Sequence, residues 1–96
     1  MELETVVHDR RAEIRAIAAA HGARNLRVFG STARGEAGAG SDLDLLIALD
    51  PGRDLLDLVA IKQDLEDLLR CIVDIVTEAA LSPYLREQVL REAVSL

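Results

Sequence analysis

The chain has 96 residues, of which 50% are hydrophobic and 29% are charged, and its net charge is -6. This composition is typical of a globular domain and excludes a disordered acidic tail; we expect residues 1–96 to form a single domain. The acidic balance argues against a direct nucleic-acid partner, which would need a basic patch to gather phosphates. No apolar stretch approaches the ~18 residues of a membrane span. The acidic amino terminus lacks the basic and apolar regions of a signal peptide, so we expect a cytoplasmic location.

Helices and strands alternate in the predicted order of elements. We predict a helix over residues 3–20 capped near Gly22, a strand over 25–29, a turn-rich segment over 30–41, a strand over 42–49, a helix over 54–70, a strand over 71–76, and a last helix starting at Ser82-Pro83 and reaching Val94. The near-continuous apolar run of the strand 71–76 predicts burial on both faces. This order favours an α/β fold in which a small mixed β-sheet is flanked by helices.

Two carboxylates stand close together at the start of the strand 42–49. Asp42 and Asp44 are two residues apart, and side chains alternate across a strand, so both leave from one face while Leu43 points to the other. Paired carboxylates on an apolar strand are costly unless a cation compensates for their charge. Hard oxygen ligands of this kind suit Mg²⁺, which binds a few carboxylates together with water and substrate phosphates.

A third carboxylate, Asp74, interrupts the apolar strand 71–76. If this strand lies beside the strand 42–49, Asp74 can join Asp42 and Asp44. Three such carboxylates can hold two metal ions, which stabilise the attacking and leaving oxygens of a phosphoryl-group displacement.

The pair Gly30-Ser31 directly follows a predicted strand and opens a possible short helix over residues 31–34. Glycine lets the backbone approach a phosphate closely, and the N–H groups at a helix start point at the anion. Arg34 is a candidate for further phosphate charge, or for an ion pair with Glu36 or Asp42. The segment is not a P-loop, since it lacks the glycine-lysine-serine/threonine ending.

Each of these features alone has a simpler explanation. A glycine-serine turn is ordinary in loops, an Asp-x-Asp pair is commonly a solvated strand edge, and a lone aspartate such as Asp74 can simply end a strand. Their combination along one chain predicts a site for a nucleotide and metal ions.

Glu78 follows the strand 71–76 closely, and we expect it to be solvated.

The motifs resemble those of a known family. The segments that carry the resemblance are Gly30-Ser31-Thr32-Ala33-Arg34-Gly35, then Ser41-Asp42-Leu43-Asp44-Leu45, with ten residues between Ser31 and Asp42, and later Val73-Asp74-Ile75-Val76-Thr77. Together they are similar to the signature of the minimal nucleotidyltransferases (MNT), within the DNA polymerase β-like nucleotidyltransferase superfamily.

The resemblance implies a polymerase β-like nucleotidyltransferase fold with a two-metal site. In it Gly30 and Ser31 hold the triphosphate of ATP, Asp42 and Asp44 bind Mg²⁺, and Asp74 completes the metal site and helps to activate the acceptor. The family further implies an antitoxin that transfers AMP from ATP to a tyrosine of a HEPN-type toxin, with which it forms a hetero-oligomer.

Two other functions stay open from the sequence. The small size, acidic charge and apolar last helix are also compatible with a non-catalytic antitoxin that neutralises its partner by binding. Nucleotide transfer to RNA or to a small molecule is the third possibility, although no basic track is visible for it.

Overall fold

The computed structural model describes residues 3–35 and 42–96 as helices packed on a mixed sheet. In chain order the elements are α1 (Leu3–Asp9), α2 (Arg11–Ala20), β1 (Ala23–Phe29), α3 (Gly30–Ala33), β2 (Leu43–Leu49), α4 (Leu55–Leu69), β3 (Val73–Thr77), a 3₁₀ turn (Glu78–Ala80), α5 (Pro83–Glu92) and β4 (Val94–Ser95). The predicted α/β architecture is therefore confirmed. None of the helices in the described ranges is both long and apolar enough to cross a membrane.

The first predicted helix is divided in two. The chain breaks at Arg10, whose backbone angles (φ -104°, ψ 12°) lie outside the helical region. Apolar spacing does not reveal the break because both halves bury residues against the same core, Val7 from α1 and Ile14 from α2. The predicted end of α2 is confirmed, since Gly22 follows the helix with a φ of 75°, as a glycine cap requires.

The sheet has the strand order β3-β2-β1-β4. Strand β1 runs antiparallel to β2 and β4, whereas β2 and β3 run parallel. A parallel pair needs a crossover, and α4 provides it. The condition for bringing Asp74 to Asp42 and Asp44, that the strand with Asp74 lies beside β2, is thus met.

Burial on both faces belongs to β2 rather than to β3. In β2 the consecutive residues Leu45 and Leu46 are both fully buried, so both faces are covered. The same expectation for residues 71–76 is wrong, because in that range only Val73 is buried and Ile72 is 57% exposed. An apolar run does not show whether its strand is central or at the sheet edge, and β3 is an edge strand.

A short strand, β4, follows the last helix, in a place where the apolar spacing predicted that the helix continues. Val94 pairs with Val28 of β1, and the Leu96 amide donates to the Leu26 carbonyl at 3.0 Å. The assignment of Val94 to the last helix is therefore wrong, and that helix ends at Glu92. Its predicted start is confirmed, because the Ser82 hydroxyl accepts from the Tyr84 amide at 3.3 Å and a proline occupies the first turn.

Candidate active site

Three aspartates lie on one face of the sheet, where β2 and β3 begin. Asp44 is paired in register with Asp74, one step beyond the pair of Leu43 and Val73. Leu43 and Val73 are fully buried on the face covered by helices. Strand alternation therefore places Asp44 and Asp74 on the opposite face, together with Asp42, which precedes β2 and is exposed.

The electrostatics of Asp44 reflect the charges of the two neighbouring aspartates. Burial raises the pKa of Asp44 above its usual value, and the negative charges of Asp74 and Asp42 raise the pKa further. The guanidinium of Arg34 acts in the opposite direction and lowers the pKa of Asp44. The site thus concentrates negative charge that a bound cation would neutralise.

The glycine-serine turn lies against this cluster. Strand β1 ends at Phe29, which is paired with Asp44, and α3 begins at the next residue, Gly30. Gly30 has a φ of 71°, and a Cβ atom at this position would collide with the Asp44 carboxylate. The short predicted helix is present, although it begins one residue earlier than we expected and ends before Arg34. Sequence reasoning assigned Gly30 to phosphate approach but did not detect its contact with Asp44.

Arg34 connects the turn to the last helix. Its guanidinium lies 3.4 Å from the carboxylate of Glu92 in α5. It also lies close enough to the aspartates to affect the pKa of Asp44. The alternative partner Glu36 lies outside the described residues.

An ion pair that the sequence did not predict lies on the same face of the sheet as the three aspartates. Arg27 of β1, whose register partner in β2 is Leu46, forms an ion pair with Glu78. The expectation that Glu78 is solvated is therefore wrong. Arg86 of α5 donates to the Glu78 carbonyl at 3.0 Å. Since 51 residues separate Arg27 from Glu78, no local pattern could have revealed the pair.

Comparisons with known proteins agree with this geometry. Residues 12–96 match the model of the nucleotidyltransferase domain family. The protein adenylyltransferase MntA of Thermococcus cleftensis is 36% identical over 93 residues, covering 97% of this chain and 91% of that protein. A candidate protein adenylyltransferase of Methanocaldococcus jannaschii is 41% identical over 76 residues, which cover 79% of this chain and 82% of that one.

Solved structures show the same fold. A candidate minimal nucleotidyltransferase superposes with a TM-score of 0.89 at 56% identity, covering 100% of this chain and 97% of that chain. A toxin–antitoxin structure with AMP-PNP superposes with a TM-score of 0.75 at 22% identity, over 88% of this chain and 69% of that chain.

The chain belongs to the nucleotidyltransferase domain family. Its likeness to the solved minimal structure, at 56% identity, places it among the minimal nucleotidyltransferases. The family resemblance inferred from the motifs is thereby confirmed, and so is the class of enzyme.

The side chains of this nucleotidyltransferase suit a divalent cation that the substrate helps to bind. Within residues 3–35 and 42–96, no three His, Cys, Asp or Glu side chains form a ready metal cluster. Mg²⁺ does not require one, because it is commonly held by one or two carboxylates together with substrate phosphates and water. The coupled charges of Asp42, Asp44 and Asp74 fit that mode of binding.

Proposed function

We propose that this minimal nucleotidyltransferase transfers AMP from ATP, in the presence of Mg²⁺, to a tyrosine hydroxyl of a HEPN-type toxin, and so acts as its antitoxin. The observation that carries the proposal is the pairing of Asp44 with Asp74 beside the Gly30 turn. AMP as the transferred group and a protein as the acceptor are supported by the relative MntA, a protein adenylyltransferase. A toxin as the partner is supported by the toxin–antitoxin structures that share this fold.

The donor side of the reaction is assigned to the turn and to the first two aspartates. Gly30 and Ser31 would hold the triphosphate, because a glycine backbone lets phosphate oxygens approach closely. Asp42 and Asp44 would bind two Mg²⁺ ions, with Asp74 completing the set. When bound, these ions neutralise the phosphate charge and polarise the α-phosphate. Arg34 is assigned a supporting role in charge neutralisation.

The chemical step requires a proton acceptor beside the metal site. The tyrosine oxygen forms a bond to the α-phosphorus of ATP, the bond between the α- and β-phosphates breaks, and pyrophosphate leaves. The phenolic proton must go to a base, and Asp74 is the carboxylate that we assign to this role. Its position on an edge strand leaves it exposed to an acceptor from another chain.

The surface properties of the protein fit a protein acceptor in a hetero-oligomer. The net charge of -6 favours a neutral or basic partner. On α5, Tyr84 is 94% exposed and Leu85 is 54% exposed, so apolar area is available for contact.

The test is transfer of labelled AMP to the partner. Wild-type protein, Mg²⁺, ATP labelled on the α-phosphate and the toxin encoded beside it are incubated together, and the labelled residue is identified by mass spectrometry. We expect one modified tyrosine and loss of label on replacing that tyrosine by Phe. The double variant Asp42→Asn/Asp44→Asn should lose transfer by at least about 100-fold, as expected when charge stabilisation in the transition state is removed. Asp67→Asn, an exposed carboxylate change on α4, should transfer normally.

The same variants distinguish the second candidate function. The exposed Tyr84 and Leu85 favour an antitoxin that neutralises by contact alone. In that case the double variant would still neutralise the toxin fully. An unlabelled partner under conditions in which the two proteins bind would refute the transfer mechanism.

A further inference from the structure

The backbone of the edge strand β3 is held from outside the sheet at one residue. The Leu43 amide of β2 donates to the Ile72 carbonyl at 2.9 Å. In a parallel ladder the groups that face the neighbouring strand then belong to Ile72 and Asp74, and those of Val73 point away from β2. Edge groups of this kind are normally left to water or to another chain.

Two side chains of α4 occupy the outward groups of Val73. The Glu66 carboxylate accepts from the Val73 amide at 2.9 Å, and the Lys62 ammonium donates to the Val73 carbonyl. Lys62 also pairs with Glu66 at 3.0 Å, which closes the set. We call Lys62, Glu66 and the Val73 backbone the edge clamp.

The protonation state of Glu66 is consistent with this arrangement. The hydrogen bond from the Val73 amide, followed by that from Lys62, lowers the pKa of Glu66 below its usual value. Glu66 therefore stays ionised as an acceptor at neutral pH.

The edge clamp acts on the residue immediately before Asp74. Asp74 lies directly across from Asp44, and like charges in directly opposed positions repel. In the sheet formed by the described residues, β3 is an edge strand paired with β2, and no further strand beyond it resists an outward movement. The clamp supplies that resistance from α4, which is fixed in the core through Ile61 and Leu65, both fully buried.

We propose that Lys62 and Glu66 are positioning residues that hold Asp74 in its catalytic place against the repulsion of Asp44. This inference rests on the proposed function, because it gives Asp74 a part in AMP transfer. Among the residues that the structure describes, the hydrogen bonds of the Lys62 and Glu66 side chains join them to each other and to the Val73 backbone, through which they act.

Kinetics of AMP transfer are the first test. Glu66→Ala should lower kcat by about tenfold, since a displacement below 1 Å is enough for such a loss, while KM for ATP changes less than about threefold. Glu66→Gln keeps an oxygen that can accept from the Val73 amide and should restore most of kcat. The matched control is Glu13→Ala, which breaks the exposed pair between Arg10, just before α2, and Glu13 in α2 and should leave kcat unchanged.

Hydrogen exchange of the metal-free proteins is the second test and does not depend on activity. Peptides covering residues 72–77 should exchange faster in Glu66→Ala and in Lys62→Met than in the wild type or in Glu13→Ala. Lys62→Met keeps the Glu66 acceptor and serves as the milder variant if Glu66→Ala does not fold.

Unchanged exchange in β3 in both clamp variants would overturn the inference. So would wild-type kcat in a Glu66→Ala protein whose β3 exchange is accelerated, or equal losses of kcat in Glu66→Ala and Glu66→Gln. If the wild type itself transfers no AMP, the proposed function fails, and the exchange comparison then decides whether the clamp holds the strand.

Discussion

At the scale of single residues, Gly30 shows how conformation and contact constrain one position together. Its φ of 71° lies in the left-handed region, which disfavours any residue with a Cβ atom. Its Cα also faces the Asp44 carboxylate so closely that a methyl group has no room. The same residue thus begins the turn and leaves space for a carboxylate oxygen that we assign to metal binding.

Gly30→Ala should therefore reduce AMP transfer far more than it reduces stability. The control is Gly52→Ala, because Gly52 also has a left-handed φ (86°), but apart from its chain neighbours no atom of residues 3–35 and 42–96 lies within 4 Å of where its methyl group would be. Both variants should lose about 1 kcal/mol of unfolding free energy from backbone strain. Only Gly30→Ala should also displace Asp44, and we expect at least a tenfold loss of transfer. Equal activity of the two variants would contradict this explanation.

The raised pKa of Asp44 predicts how stability depends on pH. Because its folded-state pKa lies above the unfolded value, ionised Asp44 destabilises the fold. This penalty is absent below the unfolded pKa, about 3.9 for an ordinary aspartate, and develops as the pH rises through the folded pKa. Asp44→Asn should thus have a higher Tm than the wild type at neutral pH in EDTA, and the difference should vanish at acidic pH. A lower Tm for Asp44→Asn at neutral pH would show that desolvation and repulsion do not dominate at this site.

At the scale of elements, sequence periodicity predicted types better than boundaries or positions. The capped start of α5 was predictable, because caps are local. That β2 and β3 are neighbours could only be assumed from the sequence, as the condition under which Asp74 joins Asp42 and Asp44, because strand pairing joins segments that are distant in the chain. The break at Arg10, the short strand at Val94 and the edge position of β3 were not predictable, because each depends on packing between distant segments. The contacts of Lys62 and Glu66 with β3 could not be predicted either, because an i,i+4 ion pair on a helix normally indicates a solvent-exposed face.

The start of α4 should contribute to stability without affecting chemistry. Asp54 and Asp57 form a reciprocal capping box, in which the Asp54 carboxylate accepts from the Leu56 amide at 3.0 Å and the Asp57 carboxylate accepts from the Asp54 amide at 3.2 Å. Asp54→Ala should cost about 1 kcal/mol in unfolding free energy, measured by urea denaturation. Asp54→Asn, which retains capping ability, should cost less. Since the box lies at the far end of β2 from Asp44, kcat for transfer should not change in either variant.

At the scale of the whole molecule, the site is assembled from segments that are far apart in the chain. The turn at Gly30, Asp44 of β2 and Asp74 of β3 meet because β2 pairs with β1 on one side and with β3 on the other. The individual side chains could be identified from the sequence, since their residue types and spacing carry the chemistry. The direct opposition of Asp44 and Asp74 required the register of the sheet, which no local pattern specifies.

Because these segments meet at one site, we predict that the nucleotide and the metal ions must both be present for most of the stabilisation of the fold. A ligand present at about 100 times its Kd adds about 2.7 kcal/mol to the unfolding free energy, and for a domain of this size each kcal/mol raises Tm by about 4–8 °C. We therefore expect the non-hydrolysable analogue AMP-PNP with Mg²⁺ to raise Tm by several degrees in thermal denaturation. AMP-PNP in EDTA should have a much smaller effect, because the negative charges of Asp42, Asp44 and Asp74 then face the triphosphate without a cation between them. The variant Asp42→Asn/Asp44→Asn should lose the Mg²⁺-dependent part of the shift, whereas Asp67→Asn should keep it. An equal shift in EDTA and in Mg²⁺ would mean that the nucleotide binds away from the three aspartates.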